Sequence, residues 1–71
     1  MNKKYFVIEV TFNGTAYAKA VTEKDTEDDA RMLLHQIMAS AIANEGIEKA
    51  IVQIIDDEGY AVKAELFNRN Q

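Results

Sequence analysis

Apolar side chains recur along the chain with two different spacings. Residues 5–12 are rich in β-branched and aromatic side chains, which is typical of a strand, and residues 15–22, 47–56 and 60–67 are the other predicted strands. Residues 27–45 place their apolar side chains at helical spacing instead. The order ββαββ predicts a single α+β domain over residues 1–71, with two layers: a four-stranded antiparallel sheet and one helix across one face. Residues 68–71 are predicted to be a frayed tail.

The predicted helix has a clear start, a clear end and one apolar stripe. Thr26 followed by Asp29 fits a capping box, and acidic side chains in the first turn complement the helix dipole. Gly46 is predicted to end the helix as a left-handed cap. The side chains that should pack on the sheet are Ala30, Leu33, Leu34, Ile37, Met38 and Ala41.

The opposite side of this helix carries no charge. No Lys, Arg, Asp or Glu lies between Arg31 and Glu45, although a solvated helix face in an acidic chain should carry some. Small residues here would let a second helix approach closely, so we predict a face for self-association, most simply as a homodimer, or for a protein partner. The alternative is that the face is merely solvated. The predicted face comprises Met32, His35, Gln36, Ala39, Ser40 and Ala43.

Two glycine-containing turns predict hairpins, at Asn13-Gly14 and at Asp57-Glu58-Gly59. A two-residue first turn would pair Phe12 with Thr15 and bring Lys19 onto the apolar face. A three-residue loop is preferred because it keeps Lys19 away from the core. In that register, one face carries Phe6, Ile8, Val10, Ala16, Ala18 and Ala20. In the second hairpin, pairing of Asp56 with Tyr60 puts Ala50, Val52 and Ile54 on one face with Val62, Ala64 and Leu66.

The sheet face away from the helix is then predicted to mix apolar and charged side chains. Its predicted members are Tyr5, Val7, Tyr17, Val21, Ile51, Ile55 and Phe67, with Lys19, Lys49, Lys63, Glu9 and Glu65. Cross-strand pairs on a solvated or partner-covered sheet explain this composition, and a protein partner or a stacked second sheet is preferred over nucleic acid.

The same face offers an alternative function, because an open sheet with aromatic side chains beside lysines can stack unpaired bases. The residues that would bind single-stranded nucleic acid are Tyr5, Tyr17, Lys19, Lys49, Lys63 and Phe67. The formal net charge of −4, from 12 acidic and 8 basic residues, disfavours nucleic acid and anionic membranes as partners.

Size and composition narrow the remaining classes. A domain of 71 residues usually has marginal stability unless a disulfide, a bound metal or oligomerisation stabilises it. Because the chain has no cysteine, oligomerisation is the stabilising factor to consider. No phosphate-binding loop, nucleophile elbow or cysteine nucleophile is present, and His35 has no acid at helical spacing on its own side. We therefore expect no enzyme, no metal and no cofactor. No signal peptide and no run of ~20 apolar residues is seen, so we expect a soluble cytoplasmic protein.

The acidic segment before the helix is best explained as a helix start. An alternative is that this segment makes the chain an inhibitor of a basic protein partner. High salt would then release the partner. The carboxylates involved would be Glu23, Asp25, Glu27, Asp28 and Asp29.

The segment 17–44, centred on Arg31 to Ala41, resembles small uncharacterised proteins of Firmicutes phages and mobile elements in length, layout and helical character. This resemblance implies a bacterial or phage cytoplasmic setting and assigns no activity. Together these observations predict a small non-enzymatic interaction or regulatory module that uses its uncharged helix face.

Overall fold

The computed structural model describes residues 3–69 and confirms the α+β, two-layer ββαββ architecture. The elements are β1 (Tyr5–Phe12), β2 (Tyr17–Lys24), α1 (Glu27–Ala43), β3 (Lys49–Asp56) and β4 (Ala61–Asn68). The four strands form one antiparallel sheet in the order β2-β1-β3-β4, so that each hairpin pairs its own strands and β1 joins β3 at the centre. The helix lies across one face of this sheet.

The core lies between α1 and the two central strands. Its buried residues are Val7, Ala30, Leu34, Val52 and Ile54, and the partly buried Tyr5, Leu33, Ile37, Met38 and Val62 pack against them. The predicted stripe of α1 is confirmed, since Ala30, Leu34 and Ala41 are buried and its other members are partly buried. Because Val7 of β1 faces the helix, however, the core side of this strand is opposite to the predicted one.

The register of the first hairpin also differs from the predicted one. Phe12 pairs with Tyr17 and Val10 with Lys19, so residues 13–16 form a loop longer than either predicted turn. The Asn13 side-chain oxygen accepts hydrogen bonds from the backbone amides of Thr15 and Ala16, both at 2.9 Å, which stabilises this wider loop. Both predicted registers are therefore wrong. Lys19 shares a face with Val10 after all, but that face points away from the helix.

The second hairpin confirms the predicted turn and then departs from the predicted register. The Asp56 amide donates to the Tyr60 carbonyl at 3.0 Å, and Gly59 has the positive φ of 90° that this loop requires. A bulge at Ile54 and Ile55 then shifts the pairing by one residue. Since one residue reverses the faces, Leu66 and Ala64 point away from the core. Their predicted place beside Val52 is wrong.

Asp56 is a buried carboxylate that belongs to this turn. Only 6% of it is exposed, and its Oδ1 accepts hydrogen bonds from the Glu58 and Tyr60 amides, both at 2.9 Å. The hydrogen bond from Tyr60 is the main cause that lowers the pKa of Asp56, with the Glu58 amide and Lys3 assisting and burial opposing. These hydrogen bonds within the turn indicate a structural role for Asp56.

The helix begins as predicted but ends differently. Thr26 Oγ1 accepts a hydrogen bond from the Asp29 amide at 3.1 Å. The helix ends at Ala43 with Asn44 as an extended cap, and Gly46 does not have positive φ, so the predicted left-handed glycine cap is wrong. The Asn44 side chain instead accepts a hydrogen bond from the Gly46 amide at 3.0 Å.

Arg69, which follows β4, caps the C-terminal end of α1. Its guanidinium lies 4.9 Å from the centre of the Phe67 ring. A cation satisfies free carbonyls at a helix end and complements the helix dipole. The side-chain nitrogens of Arg69 donate hydrogen bonds to the carbonyls of Ala41, Ile42, Asn44 and Ile47, at 3.0, 3.3, 3.0 and 2.9 Å.

The predicted frayed tail is wrong for two of its four residues. Asn68 is part of β4, and Arg69 is fixed by these hydrogen bonds. Residues 70 and 71 lie outside the described part of the chain.

Candidate functional site

The corrected registers create one continuous surface on the side of the sheet away from α1. Residues directly opposite each other in an antiparallel ladder share a face, so the members of this surface follow from the pairing. We call it the outer sheet face. It consists of Phe6, Ile8, Val10, Phe12, Tyr17, Lys19, Val21, Glu23, Lys49, Ile51, Gln53, Ile55, Ala61, Ala64, Leu66 and Asn68.

The outer sheet face is apolar and accessible. Val21 is 66% exposed and Leu66 is 60% exposed, and Tyr17 and Ile51 are exposed as well. Within residues 3–69, the single helix packs on the opposite side. With four strands of eight residues, at ~3.3 Å per residue and ~4.8 Å between strands, the face covers on the order of 500 Å². Exposed apolar side chains that are contiguous on a face of this size make it a candidate interaction site.

The charged side chains of the outer sheet face lie at its margins. Lys19 and Glu23 belong to the edge strand β2, and Lys49 begins β3. The row that joins Val10, Ile51 and Leu66 is apolar across three strands and has Lys19 at its β2 end. An apolar centre with a polar rim is the usual anatomy of a protein interface.

The residues predicted to bind nucleic acid do not form one surface. Tyr17, Lys19 and Lys49 lie on the outer sheet face, where the Tyr17 and Phe12 rings are 4.6 Å apart between centroids. The observed registers place the other three on the helix side of the sheet, so their predicted position on the face away from the helix is wrong. They are Tyr5, Lys63 and Phe67. Val7, Glu9 and Glu65, which the sequence also predicts on the face away from the helix, lie on the helix side too.

The six residues predicted for the outer helix face are indeed all exposed. They are Met32, His35, Gln36, Ala39, Ser40 and Ala43. Met32 is 58% exposed, and Ile42, which the sequence prediction left out, is also exposed. Ile42 lies at the border between the buried stripe and the outer side of a helix, where apolar residues belong to either face. The role of this face in association stays a prediction.

The acidic segment makes contacts within the chain. Lys4 Nζ forms an ion pair with Asp25 and lies 3.8 Å from Glu23, and Arg31 pairs with Glu27 at 2.8 Å. The hydrogen bond from Lys4 is the main cause that lowers the pKa of Asp25. These contacts favour a structural role for the segment over the capture of a basic partner.

A groove lies on the other side of the sheet, between α1 and the strands. Its volume is about 410 Å³, and Gln36 and Ser40 of the predicted helix face form part of its wall. The sequence does not predict this groove, because its assignment of the faces of β1 puts Glu9, which lies on the groove floor, on the opposite side of the sheet. The lining residues are Glu9, Thr11, Leu33, Gln36, Ile37, Ser40, Ala41, Asn44 and Ile47.

Neither a metal-binding cluster nor a membrane-spanning helix is found among residues 3–69. Within this range, no group of three or more His, Asp or Glu side chains could hold a metal ion, and no helix is both long and apolar enough to span a membrane. Comparison of the chain with known protein families, curated proteins and solved structures gives no significant match.

Proposed function

We propose that this protein is a small non-enzymatic interaction module that forms a homodimer by stacking two outer sheet faces. One observation supports this proposal above all others: an accessible apolar surface extends across all four strands on the side that α1 does not cover. Stacked sheets pack about 10 Å apart with interdigitating side chains. The dimer would have four layers, with a helix on each outer side.

The size of the face suits a second copy of the chain. Two faces on the order of 500 Å² each would bury about 1,000 Å² in total, near the lower bound for a specific interface. Burial of apolar surface stabilises by about 25 cal/mol per Å² before the costs of association. A small domain without disulfides would gain a substantial part of its stability in this way.

The charges of the face also suit a second copy. Lys19, Lys49 and Glu23 give its rim both signs of charge, so it carries no strong field that would select an acidic or a basic partner. Rim charges of both signs can pair between two copies related by a two-fold axis, which is the commonest symmetry of oligomers.

Other surfaces and partners rank lower. The helix face is a narrower strip, and in the stacked dimer it would remain free on the outside for another protein. Single-stranded nucleic acid is the second candidate function, because the Phe12 and Tyr17 rings lie beside Lys19 and Lys49. The formal net charge of −4 weighs against it. A cytoplasmic setting, from the resemblance to phage and mobile-element proteins, is part of the proposal.

Light scattering on a sizing column over a dilution series tests this proposal. The expected mass is twice the 8.0 kDa of one chain, falling only at the lowest concentrations. A mass of one chain at every concentration would refute the homodimer. Titration with a single-stranded oligonucleotide would then test the second candidate.

A further inference from the structure

Glu9 occupies an unusual position for a carboxylate, at the middle of a central strand beneath the helix. It pairs with Ala20 of β2 on one side and with the fully buried Val52 of β3 on the other. Ala18 and Ala20 of the neighbouring edge strand β2 are exposed. Glu9 itself lies on the floor of the groove.

The carboxylate of Glu9 has no protein cation beside it. Across residues 3–69, no ion pair or side-chain hydrogen bond involves Glu9, although it is half-buried. Lys24, on the same side of the sheet, lies opposite Tyr5 and is thus about 13 Å from Glu9 along the strand. A partly desolvated carboxylate gains more from a charge-assisted hydrogen bond than a solvated one does.

The rest of the groove combines apolar walls with neutral polar groups. Leu33 and Ile37 of α1 provide aliphatic surface, and Thr11 and Ser40 offer hydroxyl groups that can accept hydrogen bonds from a ligand. The volume of about 410 Å³ is within the ~300–1,000 Å³ typical of small-molecule sites. The groove thus holds a single negative charge among neutral groups.

We propose that this groove binds a small organic cation, an ammonium or guanidinium group carried on a short aliphatic chain. Glu9 holds the cation, Thr11 and Ser40 accept its remaining N–H groups, and the chain packs on Leu33 and Ile37. The groove lies on the opposite side of the sheet from the outer sheet face, so this site is independent of the dimer.

Amide NMR titration of the full chain with agmatine, which carries both cationic groups on a four-carbon chain, tests the site. We expect saturable shifts at Thr11, Gln36 and Ser40, and none with pentanoate, an anion of similar length. Glu9→Gln keeps the shape of the side chain and should weaken agmatine binding at least about tenfold, as expected when a charged hydrogen-bond partner is lost.

Glu65→Gln is the matched control. Glu65 lies in the same row of the sheet, two strands from Glu9 and outside the groove lining, and the substitution removes the same charge. It should bind agmatine as the wild type does. The site is refuted if agmatine gives no saturable shifts at millimolar concentration, or if Glu65→Gln weakens binding as much as Glu9→Gln. A Glu9→Gln variant that keeps a wild-type amide spectrum and binds agmatine equally well also refutes it.

Discussion

Leu66→Glu is expected to convert the homodimer into a monomer that remains folded. Leu66 is 60% exposed in the single chain, so glutamate should be tolerated there, and it lies on the edge strand β4 directly opposite Ile51 of the central strand β3. In the stacked dimer this side chain would be buried, and an unpaired buried charge is strongly unfavourable. We expect the dimer dissociation constant to rise at least about thirtyfold, the effect of losing an interface hot spot of roughly 2 kcal/mol. Light scattering measures the mass, and circular dichroism checks the fold.

Met32→Glu is the control for this prediction. Met32 is 58% exposed, so the two substitutions introduce the same charge at apolar positions of nearly equal exposure, one on each side of the molecule. The Met32 variant should remain a dimer. The opposite pattern, with Met32→Glu monomeric and Leu66→Glu dimeric, would place the interface on the uncharged helix face that the sequence predicts.

Leu34→Ala is expected to destabilise the domain by about 3 to 5 kcal/mol, the range for a buried leucine whose loss leaves a cavity. Leu34 is 0% exposed and packs among Val7, Val52 and Ile54. At ~0.05–0.15 kcal/mol per residue, a domain of this size has a total stability of about 4 to 10 kcal/mol. The variant should therefore lose at least about a third of the stability of the domain, and at the lower end of this range it would be unfolded in water.

Urea unfolding in the Leu66→Glu background measures this effect without a contribution from dimer dissociation. Met32→Ala on the same helix serves as the control and should change the free energy of unfolding by no more than about 0.5 kcal/mol. Equal losses for the two variants would show that α1 does not pack on the sheet through Leu34.

The sequence was sufficient for the architecture and insufficient for the faces of the sheet. Strand and helix spacing, the Thr26 cap and the Gly59 turn predicted the element order and the buried stripe of α1. The faces of β1 and β4, by contrast, depend on single residues. Hydrogen bonds to the Asn13 side chain stabilise a loop longer than Asn-Gly usually forms, and the bulge at Ile54 reverses β4. Nothing in local composition indicates either feature.

The loop at Asn13 and the bulge in β4 also determine which of the candidate sites can be predicted from the sequence. All six residues of the uncharged helix face are exposed, because helical periodicity separates them from the buried stripe, although Gln36 and Ser40 also line the groove. The outer sheet face depends on the observed registers, which place Phe6, Ile8 and Leu66 on the side away from the core. The same registers place Glu9 on the helix side, where it lines the groove. Arg69, which caps the helix, lay within a predicted polar tail.

The distance between two helices in the dimer tests the stacked arrangement most directly. The chain has no cysteine, so His35→Cys allows one spin label at the exposed middle of α1. With sheets stacked about 10 Å apart and a helical layer about 10 Å thick on each outer side, pulsed electron resonance should give on the order of 30 Å or more between labels. A distance of about 10 to 20 Å would show that the helices face each other and would contradict association through the outer sheet face.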